Sequence, residues 1–399
     1  MTSPSRRLHG YVHPDFAEVA VILDKVTPKG GAAVSIYHRG EPVVDLWTGV
    51  RNDNGDAWEE DTLSLSFSVT KSITATALHI LVDRGLLDYD DRVAKYWPEF
   101  AQAGKKDITV RNLLCHQAGL YPVRQYTDSV DQLLDWEYMT DVLAGAEPEH
   151  EPGARHGYHG LTFGWLIGEL VQRISGKPLG EFVASEISEP LELDGLYIGL
   201  PEHLHPRIAS TLLPLNPPSI AKLRPTGKRI EAVLRTLRMP FSLEAFARAH
   251  LPHGIESFDW DAPQVLSAAI PAANGVFTAR SLAKLYAALG NGGEYNGVRL
   301  ISEATLARAT ELQSTERDYV LFGTRMNWRL GYHQAFGTRG GIANSFGHLG
   351  ANGACAWADP TQELAVGFTR NHGMRDKFPY VSTVRISGAA WRCASARAR

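Results

Sequence analysis

Cysteine is scarce in this chain of 399 residues. The three cysteines, Cys115, Cys355 and Cys393, are too few for a disulfide framework in a chain of this length. Their spacing matches no metal site, and no cluster of histidine and acidic residues has the spacing of metal ligands. We therefore expect a fold that needs no disulfide bond and an activity that needs neither a metal ion nor another cofactor.

Long apolar runs and long basic runs are also missing. No stretch of about 18 apolar residues offers a membrane span. A net charge of −4 without a basic run gives no sign of nucleic-acid binding. The N-terminal stretch MTSPSRRLHGYVHPDF carries charge but lacks the apolar core of a secretory signal, so we expect a cytoplasmic protein. The G-x-S-x-G pattern of α/β-hydrolases does not occur either.

Strand-like segments lie near both ends of the chain, and helical patterns lie between them. The strand-like segments are residues 32–38, 42–47, 328–332 and 364–369. The clearest helical segments are residues 66–88, 162–175, 278–289 and 375–391. The turn Arg39-Gly40-Glu41 between the first two strands predicts a hairpin. We therefore expect an α+β fold in which one sheet is assembled from the two ends of the chain.

Residues 200–265 are rich in proline, and residues 228–248 within them are basic and amphipathic. One interpretation is a solvated helical flap with an apolar underside. The other is a lid that shapes an acyl pocket or contacts lipid. The sequence leaves both open.

The helical segment over residues 66–88 begins with a candidate nucleophile. Ser68 and Lys71 are three residues apart, which places both side chains on one face of a helix. A serine hydroxyl attacks only when a neighbouring base takes its proton, and a lysine serves as that base if a dry pocket and a helix N-terminus lower its pKa. The same S-x-x-K pattern occurs at Ser219 and Ser281, but only Ser68 begins a strongly apolar helix.

Two later segments supply further chemistry. Tyr158 lies on a glycine-rich turn before a helix, where its phenol either passes a proton to a leaving group or packs against that helix. Residues 346–353 read as a glycine-rich edge strand along which a substrate backbone could lie. The amide of Ala351 in this strand and the amide of Ser68 would form the two donors of an oxyanion hole.

Five segments carry a resemblance to a known family. They are Ser68-Val69-Thr70-Lys71, Leu113 to Leu120, Tyr158, Asn274 to Arg280 and His348-Leu349-Gly350. With these segments in this order and spacing, the chain resembles the serine β-lactamase and penicillin-binding-protein superfamily over roughly residues 15–375. Within that superfamily it is similar to the β-lactamase-like esterases, also called family VIII carboxylesterases.

The resemblance implies a role for each motif. Ser68 is the acylated nucleophile, Lys71 and Tyr158 form the general-base pair, and the amides of Ser68 and Ala351 form the oxyanion hole. His348 takes the place of the family's lysine in the third motif. The residues that we expect to contact the substrate are His348, Gly350, Tyr121 and His159.

The resemblance also implies an architecture. We expect an α/β sandwich whose central antiparallel sheet is flanked by helices. Residues 13–85 and 268–399 would form this α/β part. Residues 86–267 would form a mainly helical part with the lid-like insertion around residues 200–265, and the active site would lie between the two parts.

Two departures from the family pattern bear on the substrate. The second motif is Tyr158-His159-Gly160 where β-lactamases have Y-x-N, so the asparagine that contacts a lactam amide is missing. The third motif is H-x-G where they have K-T-G, which removes a fixed cation for a substrate carboxylate. Both changes favour neutral esters over lactams and D-Ala-D-Ala peptides.

The sequence therefore predicts a serine carboxylesterase that hydrolyses short- to medium-chain acyl esters through an acyl-enzyme on Ser68. Alternatives are acyl transfer to an alcohol or amine, weak β-lactamase or D-aminopeptidase activity, and a non-enzymatic binding protein on the same scaffold. The expected partner is a small-molecule ester. The oligomeric state stays open, and a homo-oligomer is compatible with the sequence.

Overall fold

A computed structural model describes residues 8–212, 231, 236 and 242–397 of the protein. The strands are β1 (His9–Val12), β2 (Gly31–His38), β3 (Glu41–Gly49), β4 (Leu63–Leu65), β5 (Leu196–Tyr197), β6 (Ile208–Ala209), β7 (Val276–Phe277), β8 (Glu294–Tyr295), β9 (Val298–Arg299), β10 (Phe336–Gly337), β11 (Gly340–Gly341), β12 (Phe346–Leu349), β13 (Cys355–Asp359) and β14 (Leu364–Arg370).

The α-helices of the described residues follow in the same chain order. They are α1 (Ala17–Val26), α2 (Val69–Asp83), α3 (Val110–Leu114), α4 (Val123–Tyr126), α5 (Trp136–Gly145), α6 (Thr162–Ser175), α7 (Leu179–Val183), α8 (Leu243–His250), α9 (Pro263–Ser267), α10 (Ala279–Gly290), α11 (Glu303–Thr310) and α12 (Tyr380–Arg397).

The central sheet has six antiparallel strands in the order β1-β3-β2-β14-β13-β12. The N-terminal strands β1 to β3 join the C-terminal strands β12 to β14 through the β2–β14 pair. The expected α+β fold, with one antiparallel sheet built from both chain ends, is therefore confirmed. A smaller sheet of four short strands, in the order β5-β7-β4-β6, lies beside the start of α2.

The predicted hairpin joins β2 to β3. His38 pairs with Glu41 across the turn, and the two residues between them, Arg39 and Gly40, have φ angles of 56° and 79°. Two consecutive positive φ angles are typical of a type I′ turn, whose twist matches that of the flanking strands.

Helices cover both faces of the central sheet. On one face, Val19 of α1 and Ile386 of α12 share an apolar cluster with Val34 and Val366 of the sheet. On the other face, α10 packs against β2, β13 and β14. Gly367 allows the close approach of α10, because a Cβ at that position would lie 2.3 Å from the Ala279 carbonyl oxygen.

Helix α2 is buried along nearly its whole length, with every residue from Val69 to Val82 buried. It packs against α6 and next to β12. Gly85, just beyond its end, has a φ of 69°, which is the left-handed conformation that ends helices. The predicted helix is therefore present, and it ends near the glycine that the sequence suggested.

One predicted strand is wrong. Residues 328–332 form no strand and contribute only an isolated bridge between Trp328 and Ser314. Gly331 has a φ of 74° and Asn327 a φ of 53°, and these left-handed residues interrupt an extended run. The apolar pattern instead reflects burial, since Trp328 and Leu330 are fully buried.

Part of the proline-rich segment over residues 200–265 lies outside the described residues, including most of the basic stretch. The described part contains α8 and α9, and α8 packs against α4. The division of the chain into 13–85 with 268–399 and 86–267 stays a prediction, and the larger cluster of buried apolar side chains runs through both parts. None of the described helices is both long and apolar enough to cross a bilayer.

Candidate active site

Ser68 precedes the first turn of α2 and is its N-terminal capping residue, yet its side chain makes no capping hydrogen bond. The residue before it, Phe67, has a φ of 46°. This left-handed conformation is costly for an aromatic residue and is typically retained at functional sites. The Phe67 ring packs edge-on against Trp260 at 5.2 Å, which holds the strained turn in place. Ser68 itself lines the cavity described below.

Lys71 is fully buried, with an exposed fraction of 0%. Its Nζ lies 3.0 Å from Ser68 Oγ, 2.7 Å from the Gly160 carbonyl oxygen and 3.0 Å from the Ala272 carbonyl oxygen. Burial lowers the pKa of Lys71 well below its ordinary value. A neutral amine donates its two N–H groups to the two carbonyls and keeps one lone pair for the Ser68 hydroxyl. The arrangement is that of a base beside a nucleophile.

Tyr158 lies beside this pair. Lys71 Nζ is 4.9 Å from the centre of its ring, and the Tyr158 ring stacks nearly parallel to both Trp328 and His250, with ring centres 5.7 and 5.6 Å apart. Burial raises the pKa of Tyr158, and a hydrogen bond with Ser68 works in the opposite direction. Because burial dominates, Tyr158 is a neutral phenol that can donate a proton.

Asp318 fixes the backbone of Tyr158. The Asp318 carboxyl accepts hydrogen bonds from the amides of Tyr158, Val320 and Leu321 at 3.2, 2.8 and 2.9 Å. The hydrogen bond from the Tyr158 amide connects the turn that carries the phenol to the loop over residues 318–324, which forms one wall of the cavity.

The segment after β12 brings a second backbone amide to the nucleophile. Gly350 passes so close to α2 that a Cβ there would lie 2.3 Å from the Ser66 carbonyl oxygen. Asn352 donates hydrogen bonds to the carbonyls of Leu65 and Arg370, both at 2.9 Å, and so anchors the segment. Within the described residues the amides of Ser68 and Ala351 have no acceptor, as the donors of an oxyanion hole require.

These groups open into a cavity of about 580 Å³. Its lining is Ser68, Tyr158, Phe246, His250, Leu321, Phe322, Thr324, Met326, His333, Phe336, Gly337, His348, Leu349, Ala351, Tyr380, Thr383 and Val384. The volume suits a small organic molecule. No lysine, arginine, aspartate or glutamate is among the described residues of this lining, so the cavity is suited to an uncharged ligand.

Helix α8 explains the missing asparagine of the second motif. A Cβ on Gly160 would lie 2.6 Å from the Ala249 carbonyl oxygen and 2.8 Å from His250 Nε2. The end of α8 therefore occupies the space that a side chain at residue 160 would need. Phe246 and His250 of the described part of the proline-rich segment thus contribute to the cavity lining, and the choice between flap and lid stays a prediction.

Two expected substrate contacts need correction. Tyr121 and His159 lie behind Tyr158 and are absent from the described residues of the cavity lining. Tyr121 fills the space next to Gly157, where a Cβ would lie 2.8 Å from its ring. His159 accepts a hydrogen bond from the Leu120 amide at 3.0 Å. Both side chains support the wall and do not reach the ligand space. His348 lines the cavity, and Gly350 lies between two lining residues.

Several residues of the site carry no motif. The residues that sequence reasoning missed are Phe246, His250, Asp318, Trp328, His333 and Asn352. Phe246 and His250 come from a segment without a readable pattern, and Trp328 lies in a predicted strand that does not form. Asn352 offered one signal, since it lies within the glycine-rich stretch after His348.

Comparison with known proteins agrees with this geometry. The Beta-lactamase family model matches residues 25–380. The chain is 38% identical over 371 residues to a Mycobacterium tuberculosis protein named esterase/beta-lactamase LipL, covering 92% of this chain and 83% of that protein.

Two solved structures are similar over the whole fold. A family VIII carboxylesterase has a TM-score of 0.82 at 34% identity, with 97% of this chain and 100% of that chain covered. A penicillin-binding protein homologue from Caulobacter crescentus has the same TM-score and coverage at 33% identity. With the family model matched over most of its length, the chain belongs to the beta-lactamase family.

Proposed function

We propose that this protein is a serine carboxylesterase that hydrolyses neutral short- to medium-chain acyl esters through an acyl-enzyme on Ser68. The observation that carries the proposal is the placement of Lys71. Its buried amine lies 3.0 Å from the Ser68 hydroxyl, and its N–H groups are engaged by the carbonyls of Gly160 and Ala272. A lysine held this way keeps its lone pair for the serine proton.

In acylation, Ser68 Oγ attacks the ester carbonyl while its proton moves to Lys71 Nζ. The carbonyl oxygen becomes an oxyanion and accepts hydrogen bonds from the amides of Ser68 and Ala351. As the tetrahedral intermediate collapses, the bond between the former carbonyl carbon and the alcohol oxygen breaks, and Tyr158 donates its proton to that oxygen. The Tyr158 phenolate then recovers a proton from the Lys71 ammonium, so both groups end neutral beside the acyl-enzyme.

In deacylation, a water molecule attacks the acyl carbon from the side that the alcohol has left. A proton of this water passes to Lys71 through Tyr158. The new oxyanion again accepts hydrogen bonds from the amides of Ser68 and Ala351. When the second intermediate collapses, Ser68 Oγ leaves as an alkoxide and takes the proton back from Lys71. The acid is released, and the three side chains return to their starting protonation states.

The cavity supports a neutral substrate. A lactam antibiotic or a peptide terminus brings a carboxylate, which needs a cation such as the family's third-motif lysine. This chain has His348 at that position, and the described lining carries no charge. Relatives named esterase/beta-lactamase and family VIII carboxylesterase support an esterase. Because one relative is named esterase/beta-lactamase, slow hydrolysis of lactams is the alternative to test.

The test is burst kinetics with p-nitrophenyl butyrate. We expect a burst of one p-nitrophenol per enzyme, because acylation by this activated ester should be faster than hydrolysis of the acyl-enzyme. We expect Ser68→Ala to lose at least about 10³-fold in kcat. The matched control is Ser281→Ala, which removes a serine from another S-x-x-K pattern. Full activity of Ser68→Ala, or labelling of Ser281 by a fluorophosphonate, would contradict the proposal. A chromogenic cephalosporin should be cleaved far more slowly than the ester.

A further inference from the structure

One histidine of the cavity lining has an unpaired ring nitrogen. His348 is 3% exposed, it lines the cavity beside Ser68, and its Nε2 has no hydrogen-bond partner among the described residues. A buried polar atom without a partner destabilises the folded protein, because it has lost its hydrogen bonds to water. An atom of this kind in the wall of a ligand cavity points to a partner on the ligand.

The hydrogen bonds of His348 fix its tautomer. Nδ1 lies 2.8 Å from the Leu349 carbonyl oxygen, which accepts only, so Nδ1 carries the proton. Nε2 of the neutral ring is then a lone-pair acceptor. His250 repeats the arrangement, because its Nδ1 lies 3.0 Å from the Phe246 carbonyl oxygen. Its Nε2 consequently also presents a lone pair, close to Gly160.

The third imidazole of the lining is already satisfied. His333 donates from Nδ1 to the Gln334 carbonyl at 2.8 Å and accepts at Nε2 from the Leu349 amide at 3.2 Å. Its ring lies edge-on to that of His348, with centres 4.5 Å apart. His333 therefore supplies neither a donor nor an acceptor to the ligand, and it leaves His348 Nε2 unpaired.

The surroundings keep His348 uncharged. Burial lowers its pKa well below the ordinary histidine value. No carboxylate lies among the described lining residues to oppose this effect. At neutral pH the ring is an acceptor, and it cannot serve as the cation that binds a carboxylate in K-T-G relatives.

We propose that the ester substrate carries a neutral hydrogen-bond donor, of which a hydroxyl is the simplest, and that His348 Nε2 accepts its hydrogen bond. His250, which also lines the cavity, is a second residue whose Nε2 is an acceptor. This inference rests on the proposed esterase function and narrows its substrate class to hydroxylated esters. A substrate carboxylate at the same place is excluded, because its oxygens and His348 Nε2 are all acceptors and would repel one another.

The experiment compares esters that differ only in the donor. One pair is 2-hydroxyethyl butyrate and 2-methoxyethyl butyrate, whose leaving alcohols are similarly acidic. The other pair is methyl 4-hydroxybutyrate and methyl 4-methoxybutyrate, which places the donor on the acyl side. We expect a kcat/KM ratio of hydroxyl to methoxy ester of at least about tenfold in one pair, the scale of a single hydrogen bond.

Variants of His348 assign the preference. His348→Phe removes the acceptor and keeps a ring, so the ratio should fall to about one. His348→Gln places an amide oxygen near the former Nε2 and should restore part of the ratio. His205→Phe is the matched control, because His205 is a partly buried histidine outside the cavity lining, and it should leave the ratio as in the wild type.

The outcomes separate the two proposals. Wild-type protein that fails to hydrolyse p-nitrophenyl butyrate would overturn the esterase function itself. Wild-type protein that hydrolyses it but treats both members of each pair alike would overturn only the donor inference, as would a preference that survives in His348→Phe. Because the readout is a ratio between two substrates of one variant, a partly unfolded preparation does not change it.

Discussion

The chain carries the S-x-x-K pattern at Ser68 and again at Ser281, and the two copies have different surroundings. Lys71 is buried, and its amine lies 3.0 Å from the Ser68 hydroxyl. Lys284 is partly exposed and extends over the Tyr295 ring at 5.8 Å. Its neighbour Ser281 is engaged with Thr278, the N-terminal cap of α10.

The difference is the reason why we expect only the first of these two copies to be reactive. Spacing brings a serine and a lysine to one face of a helix in both copies. Only at Ser68 do distant carbonyls, from Gly160 and Ala272, engage the amine and exclude water from it. The third copy, at Ser219, lies outside the described residues.

The largest effect should come from removing the amine. Lys71→Met keeps the length and apolar stem of the side chain but removes the base, so kcat/KM for p-nitrophenyl butyrate should fall by about 10²–10⁴-fold. Lys284→Met is the matched substitution in the other copy and should change kcat/KM by less than about twofold. Circular dichroism of both variants would check that they fold. Equal losses in the two variants would show that burial does not distinguish the copies.

The next effect concerns the phenol. Tyr158→Phe keeps the ring between Trp328 and His250 but removes the proton donor, so we expect a loss of about 10²-fold for ethyl butyrate. The loss should be smaller for p-nitrophenyl butyrate, whose leaving group needs no proton. Tyr121→Phe, in the wall behind, is the control. The same loss for both esters would assign Tyr158 a role other than that of an acid.

The pH dependence should distinguish a buried lysine base from an ordinary one. Lys71 must be neutral to act, so kcat/KM should rise as pH rises through the Lys71 pKa and then stay level. Burial lowers this pKa well below 10.5 and raises that of Tyr158 above 10.0, so the plateau should begin well below pH 10.5 and extend into alkaline pH.

The histidines of the cavity should not disturb this plateau. Burial lowers the pKa of His250 and of His333 to about 4, so neither ring changes charge near the ordinary histidine value. The measurement is kcat/KM for p-nitrophenyl butyrate across the accessible pH range. A rise centred near 10.5 would contradict the buried-base assignment.

We expect the smallest effect from a substitution next to the S-x-x-K copy at Ser281. Thr278 Oγ1 accepts a hydrogen bond from the Ser281 amide at 3.1 Å and so caps α10. Thr278→Ala should lower the free energy of unfolding by about 1 kcal/mol and leave the labelling of Ser68 by a fluorophosphonate unchanged. Urea denaturation and mass spectrometry measure the two quantities. Altered labelling with unchanged stability would give this region a role in the chemistry.

Much of the fold could be predicted because its signals are local. The hairpin at Arg39 and Gly40 needs a turn with two positive φ angles, which glycine favours, and α6 has the predicted bounds because its apolar residues keep helical spacing throughout. The strand predicted for residues 328–332 is wrong for the opposite reason. Their apolar residues are buried by tertiary packing, while Asn327 and Gly331 prevent an extended strand.

The candidate site divides in the same way. Ser68, Lys71 and Tyr158 could be named from motifs, and the structure brings them together. Phe246 and His250 could not, because they reach the cavity from a segment whose local sequence has no recognisable period. Tyr121 and His159 lie next to motifs in the sequence, but their side chains point into the protein wall.

By itself, the sequence determined which groups are able to react, since a hydroxyl, an amine and a phenol are properties of residues and their spacing along a helix is a property of the backbone. Only the tertiary structure decided their states. Burial lowers the pKa of Lys71 and raises that of Tyr158, and a backbone carbonyl fixes the tautomer of His250 and of His348. Protonation depends on solvent access and on neighbours distant in sequence, and neither exists before the chain has folded.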